Sequence, residues 1–81
     1  MKWYKTKLRM KKAYRFFVKD YGENTPGVEK VVVRLYERYF VNTVNGRIAV
    51  YDGDYVIQEP NDPTKYYPCE PDLFESGHEE V

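Results

Sequence analysis

One cysteine and one histidine are all this chain holds of the two side chains most often used for covalent and acid–base chemistry. A lone Cys69 excludes an internal disulfide and a cysteine-rich metal site. A lone His78 near the end of an acidic stretch is poorly placed for a catalytic imidazole, which needs a fixed orientation. No apolar run approaches the roughly 18 residues of a membrane-spanning helix. The start, Met1-Lys2-Trp3-Tyr4-Lys5, is charged and leads into no apolar h-region, so no signal peptide is expected. A cytoplasmic protein is expected, with no membrane partner and with Cys69 reduced.

The apparatus of common enzymes is missing as well. A hydrolase or transferase needs a nucleophile with a base, paired carboxylates or a metal. Cys69 stands between Pro68 and Glu70-Pro71, and neighbouring anions raise a thiol's pKa, the wrong direction for a nucleophile. Asp52-Gly53-Asp54 lacks the acidic spacing and terminal Glu of a calcium loop. No Walker loop, dinucleotide fingerprint or zinc spacing occurs. The expectation is a protein that is not an enzyme and takes no cofactor or metal.

What is abundant is aromatic surface and segregated charge. Phe, Trp and Tyr make up 17% of the residues, nine of them Tyr, and Tyr suits half-buried strand faces and contact surfaces alike. Thirteen basic and thirteen acidic residues cancel, yet they are unevenly distributed. Residues 1–19 hold eight cations and no anion, whereas residues 52–81 hold nine carboxylates against Lys65 and His78. Such asymmetry marks a nucleic-acid arm, an acidic tail, or two ends that pack together and neutralise each other. At 81 residues the chain is one domain. A core of that size supplies only about 3–5 kcal/mol, so a bound partner or a homo-oligomer would supplement it.

Along the chain, residues 8–18 alternate, with Leu8, Met10, Tyr14, Phe16 and Val18 on one face, which predicts a strand. Residues 20–27 form a loop rich in Gly, Pro and short polar side chains. Residues 28–40 support two readings. Apolar positions 28, 31, 32, 35, 36, 39 and 40 fit a helical stripe, with Thr25-Pro26 as its start, while Val31-Val32-Val33 and Tyr39-Phe40-Val41 favour strand. The helical reading, over 27–37 and passing into a strand near Arg38, is preferred. Residues 38–43 and 47–51 then form a hairpin about Val44-Asn45-Gly46. Asp52-Gly53 turns into strand 54–58, Asn61-Asp62-Pro63-Thr64 turns again, and Tyr66-Tyr67 is a short strand ended by Pro68. After Pro71, residues 71–75 read as one helical turn capped by Asp72, with Leu73 and Phe74 as a plug. The fold class expected is α+β: a small, mostly antiparallel β meander of about 4–5 strands, one short helix near 27–37 and a C-terminal helical turn near 71–75. Residues 1–76 form the domain and 77–81 a flexible acidic tail.

The segments Gly53-Asp54-Tyr55-Val56-Ile57-Gln58 and Tyr66-Tyr67-Pro68-Cys69-Glu70-Pro71-Asp72-Leu73-Phe74-Glu75 resemble a family of small proteins of tailed bacteriophages and prophages. Its members carry Pro-Gly-Asp-Trp/Tyr-Ile-Ile followed by Tyr-Pro-Cys-Lys-Pro-Asp-Ile-Phe-Glu. This chain departs from the pattern at Asp52, where Pro is usual, and at Glu70, where a basic residue is usual. The resemblance implies a phage origin, an infected bacterial cytoplasm and a fold more than an activity. Within the motif, Gly53, Asp54, Tyr55, Tyr67, Pro68, Cys69, Pro71 and Phe74 read as structural.

Three functions fit these features. The first is a phage accessory protein that binds a host or phage protein, with Glu59, Asp62, Glu70, Asp72 and Glu75 as an acidic surface that inhibits a host nucleic-acid-handling or defence enzyme by mimicry. The second is nucleic-acid binding by the basic aromatic segment Lys2, Trp3, Tyr4, Lys5, Lys7, Arg9, Lys11, Lys12 and Arg15, through phosphate contacts and base stacking. The third is a sponge for a small nucleotide signal, held by aromatic rings with Arg34, Arg38 and Arg47.

Overall fold

A computed structural model describes residues 1–6, 9–21 and 30–81. Among these residues the chain forms, in order, β1 (Lys2–Lys5), β2 (Met10–Arg15), the 3-10 turn Val18–Asp20, β3 (Val32–Leu35), β4 (Arg38–Thr43), β5 (Gly46–Val50), β6 (Tyr55–Glu59), β7 (Asp62–Cys69), α1 (Pro71–Gly77) and β8 (Glu79–Glu80). They form a five-stranded sheet in the order β7-β6-β2-β1-β8 and a three-stranded sheet in the order β3-β4-β5. All pairings are antiparallel. The α+β class and the mostly antiparallel character expected from the sequence are both present. No helix among the described residues is long and apolar enough to cross a membrane.

The central element is β6. Tyr55, Val56 and Ile57 are consecutive and all buried, the pattern of a strand covered on both faces rather than one. Val56 points into a core shared with Phe16, Val32, Val41 and Val50, where the three-stranded sheet packs on the larger one. Tyr55 and Ile57 point the other way, to Ala13 and to Phe74 of α1. Strand β2 divides similarly: Ala13 belongs to the helix side and Tyr14, followed by Phe16, to the sheet side. Helix α1 begins at Pro71, whose fixed φ suits a first turn. Phe74 is its one buried side chain, while Leu73, expected to share in the plug, is 66% exposed.

Two turns follow the sequence closely. Gly46 (φ +111°) and Gly53 (φ +90°) lie where positive φ is needed. The Asp52-Gly53 turn does more than join neighbouring strands, since it carries the chain from the small sheet into the large one. Pro68 lies inside β7 opposite Val56, tolerated because β7 is an edge strand.

Other expectations are corrected. Of the helix expected near 27–37, positions 27–29 lie outside the described residues, while Val32–Leu35 is strand β3 and Tyr36-Glu37 is its turn into β4. The strand wins because Val32 and Val33 pair with Val41 and Phe40 and bury Val32 completely. The strand expected over 8–18 is shorter: Leu8 lies outside the described residues, and residues 18–20 turn. The tail expected at 77–81 is also structured. Glu79 and Glu80 pair with Lys5 and Tyr4 of β1, Lys5 Nζ and Lys2 Nζ each lie 3.4 Å from the carboxylates of Glu79 and Glu80, and the Val81 N–H donates to the Trp3 carbonyl. The two chain ends therefore pack side by side and partly neutralise each other.

Candidate functional site

The turn from β5 into β6 at Asp52-Gly53 is a joint. The Gly53 N–H donates to the Phe16 carbonyl (2.7 Å) and the Phe16 N–H to the Asp54 carbonyl (2.8 Å), extending the β2–β6 ladder around the turn. The Arg15 guanidinium donates through Nε to the Gly53 carbonyl (2.9 Å). The Asp54 carboxylate accepts the Tyr51 N–H (2.9 Å) and that of Asp52 accepts the Val18 N–H (2.7 Å). The turn is thus tied both to Tyr51 after β5 and to residues 15–18 at and after the end of β2. A Cβ at Gly53 has room, meeting only Arg15 Nη2 at 3.8 Å, so backbone conformation sets the cost of replacing it. Gly53→Ala is expected to lower stability by about 1–3 kcal/mol, read from the urea midpoint; an unchanged midpoint would show that the turn relaxes without cost.

Cys69 and His78 are both built into the helix side of the large sheet. Burial pushes the Cys69 thiol up, Lys11 pulls it partly back, and Asp54 and Glu70 push it further. Burial, rather than the flanking anions alone, therefore leads in keeping the thiol protonated. The His78 ring lies flat on Phe74 (4.0 Å between centroids, 4° between planes), and its Nδ1–H donates to the Phe74 carbonyl (2.8 Å). This bond fixes the tautomer and ties the end of α1 to β8. Among the described residues no three His, Cys, Asp or Glu side chains converge as metal ligands.

The acidic set does not form one surface. Glu59 and Asp62 face each other at one end of the β6–β7 pair. Glu70, Asp72 and Glu75 lie at the other, around α1, so the two groups stand at opposite ends of β7, whose eight residues rise about 3.3 Å each. Asp62 is turned onto Thr64, accepting its N–H (3.0 Å) and its hydroxyl (2.6 Å), and these bonds hold its carboxyl below the usual value. Glu75 accepts the Tyr55 hydroxyl (3.1 Å). The N-cap position of α1 is Glu70 rather than Asp72, which lies in the first turn and there meets the positive end of the helix dipole.

The basic set is divided by strand alternation. The register of β1 and β2 places Lys2, Tyr4, Lys11 and Arg15 on the helix side and Trp3, Lys5 and Lys12 on the other. Tyr4 is packed edge-on against Phe74 (4.8 Å) and Tyr55 (6.0 Å). Lys11 lies over Tyr67, Lys12 over Trp3, and Arg15 over Phe17 and Tyr55. Arg9 is exposed, and Lys7 lies outside the described residues. Most of these cations already have a partner in their own domain.

A surface the sequence reading passed over lies on the small sheet. Its outer face carries Val33, Phe40 and Ala49 in one cross-strand row, Leu35 and Arg38 in the next, and Asn42 with Arg47 at the far end. The β3–β4 hairpin that tips this face turns on Tyr36 (φ +50°) and Glu37 (φ +66°). Both residues occupy the left-handed region that such turns reserve for Asn and Gly. Tyr36 is 98% exposed, and Tyr51, just past the end of β5 at the same end of the sheet, is 70% exposed. A cleft of about 440 Å³ adjoins the tip, lined by Val18, Glu37, Arg38, Ala49, Tyr51 and Asp52 among others. Arg34, opposite Tyr39, lies on the reverse side of the sheet from Arg38 and Arg47, so the three guanidiniums do not converge. Reading 27–37 as a helix concealed this face by placing Tyr36 on a core stripe. Comparison with protein-family models, curated proteins and solved structures returned no match.

Proposed function

We propose that this chain is a non-enzymatic binding protein that grips a partner protein through the β3–β4 hairpin tip and the outer face of the small sheet. The observation that carries the reading is Tyr36: a large aromatic side chain, almost wholly in solvent, held at a strained backbone position. Left-handed conformations at residues other than glycine cost about 1–3 kcal/mol each and persist where something requires them. Exposed Tyr and Arg are the residue types that anchor protein interfaces, and Tyr36, Arg38 and Tyr51 all lie at this end of the small sheet. The resemblance of the C-terminal motif to small tailed-phage proteins supports a host or phage protein as the partner, with a host enzyme of nucleic-acid handling or defence as the target class. The separation of Glu59 and Asp62 from Glu70, Asp72 and Glu75 argues against acidic mimicry as the means of inhibition. The internal engagement of Lys2, Lys5, Lys11, Lys12 and Arg15 makes nucleic-acid binding along β1 and β2 the lesser reading.

Replacing the turn by Tyr36→Asn with Glu37→Gly separates fold from function. The variant is expected to gain about 1 kcal/mol or more in urea unfolding, because Asn-Gly relieves the strain, and yet to lose the partner captured by the wild-type protein from nuclease-treated host lysate. Equal capture by the variant would overturn the proposal, and loss of capture by wild-type protein on nuclease treatment would favour nucleic acid.

A further inference from the structure

We propose that the open edge of β5 receives an extended segment of the partner, alternating acidic and apolar residues, as a fourth strand of the small sheet. The inference rests on the reading of the chain as a protein-binding module. A sheet edge is a row of unpaired backbone groups, and folded proteins usually guard it.

Three of the four edges here are guarded. β7 carries Pro63, Lys65 and Pro68. β8 is two residues long. On β3 the outward backbone groups belong to Val32, which is completely buried, and to Arg34, which is exposed and puts a charge on that edge. β5 carries no proline, and its one charge is Arg47; among the described residues Arg47 is exposed and Ala49 only half-buried. Thr43 and Gly46 close its hairpin as a bonded pair, so Ile48 and Val50 bond to β4 while the N–H and C=O of Arg47 and Ala49 face outward. The next outward residue, Tyr51, is already closed by Asp54, which takes its N–H on the carboxylate and donates its own N–H to the Tyr51 carbonyl. A short, defined docking edge remains.

The side chains beside that edge specify what adds to it. On the outer face stands Arg47, whose described contact is a 3.3 Å bond from Nε to Asn42 Oδ1, with Arg38 further along the same face. Among the described residues neither Arg38 nor Arg47 is ion-paired, the ion pairs there being those of Lys2 and Lys5. On the inner side Ile48 is 45% exposed at the rim of the core. A strand alongside β5 directs alternate side chains to these two sides, so carboxylates would meet the guanidiniums and apolar side chains would cover Ile48. A second copy fits less well. Antiparallel β5–β5 pairing about Ile48 sets the two Arg47 side chains as diagonal neighbours on one face, and like charges at such positions are destabilising.

The test uses the full chain and a fluorescein-labelled eight-residue peptide of alternating Glu and Val, with a Lys-for-Glu peptide as control. Fluorescence anisotropy reads affinity, and amide hydrogen exchange by NMR reads Arg47 and Ala49. The acidic peptide is expected to bind and to slow exchange at both amides, while the basic one does neither. Ala49→Pro removes one outward donor and leaves the Ile48 and Val50 bonds in place; it and Arg47→Glu are each expected to weaken binding by about tenfold or more. Absence of binding, equal affinity for the two peptides, or binding without added protection at Arg47 and Ala49 overturns the proposal. So does a dimer in sedimentation that Ala49→Pro disperses, since the edge would then belong to a second copy. Should Ala49→Pro fail to fold by circular dichroism, Arg47→Glu and the exchange data decide. Lysate partner lost with the hairpin-tip variant but retained by Ala49→Pro sinks the edge proposal alone; partner retained by both sinks the parent reading.

Discussion

Phe74→Ala is expected to unfold most of the protein at room temperature. Phe74 is 1% exposed and lies stacked between Tyr55 (4.0 Å, 14°) and His78 (4.0 Å, 4°), with Tyr4 edge-on at 4.8 Å. Truncating a buried Phe costs about 3–5 kcal/mol, and a domain of this size has only about 3–5 kcal/mol in its core. The loss is also structural. Phe74 is the buried side chain by which α1 sits on the large sheet, and its carbonyl holds His78 in front of β8. The amides of β8 and of the neighbouring part of β1 should therefore lose exchange protection first. Far-ultraviolet circular dichroism and a urea titration would measure the effect. Phe74→Leu, which retains most of the apolar volume, should remain folded. A folded Phe74→Ala with wild-type protection in β8 would show that α1 is held by something other than this side chain.

Raising the pH above about 10 is expected to destabilise the wild-type protein steeply, and Tyr14→Phe to blunt that loss. Three phenols are held above the ordinary value of 10.0. Burial is the leading cause in each, joined by Tyr66 for Tyr14, by the hydrogen bond to Glu75 for Tyr55 and by Glu80 for Tyr4. Below pH 10 these phenols are neutral in both states and their contribution is fully present. Above it, the unfolded chain releases protons that the folded chain keeps, which favours unfolding. Tyr14 is the most perturbed, and its hydroxyl is buried without a hydrogen-bond partner. Removing that hydroxyl should raise stability at neutral pH by about 1 kcal/mol and flatten the alkaline decline. Urea midpoints at pH 8 and pH 11 for wild type and Tyr14→Phe give both numbers. A parallel fall in the two proteins would place the alkaline sensitivity elsewhere.

Both predictions concern residues that the sequence marked with unequal clarity. Phe74 stood out because Pro71 and the acidic first turn announce a helix, and a helix of seven residues needs an anchor. Tyr14 stood out only as one member of an alternating run. Its burial depends on β4 and β5 lying against the large sheet, which no local pattern records. The charge sets were the least legible. Counting cations over residues 1–19 says nothing of which face of β1 or β2 each occupies, and two-residue periodicity assigns neighbours such as Trp3 and Tyr4 to opposite sides.

The sequence by itself determined the features whose cause lies within a few residues. Gly46 and Gly53 set the turns because few other residues take their φ angles without strain; the run at 54–58 set a strand, though its burial on both faces came only with the packing of the small sheet and α1; Pro71 set the start of α1. Only the tertiary structure decided matters that depend on distant partners. Residues 32–35 satisfy a helical stripe and a strand preference about equally well, and burial of Val32 against Val41 selected the strand. The last residues are held because β1 has a free edge and two lysines facing Glu79 and Glu80. The exposed hairpin tip and the open edge of β5 exist because pairing in the small sheet ends there, and the ends of a sheet are set by its strands together rather than by any one of them.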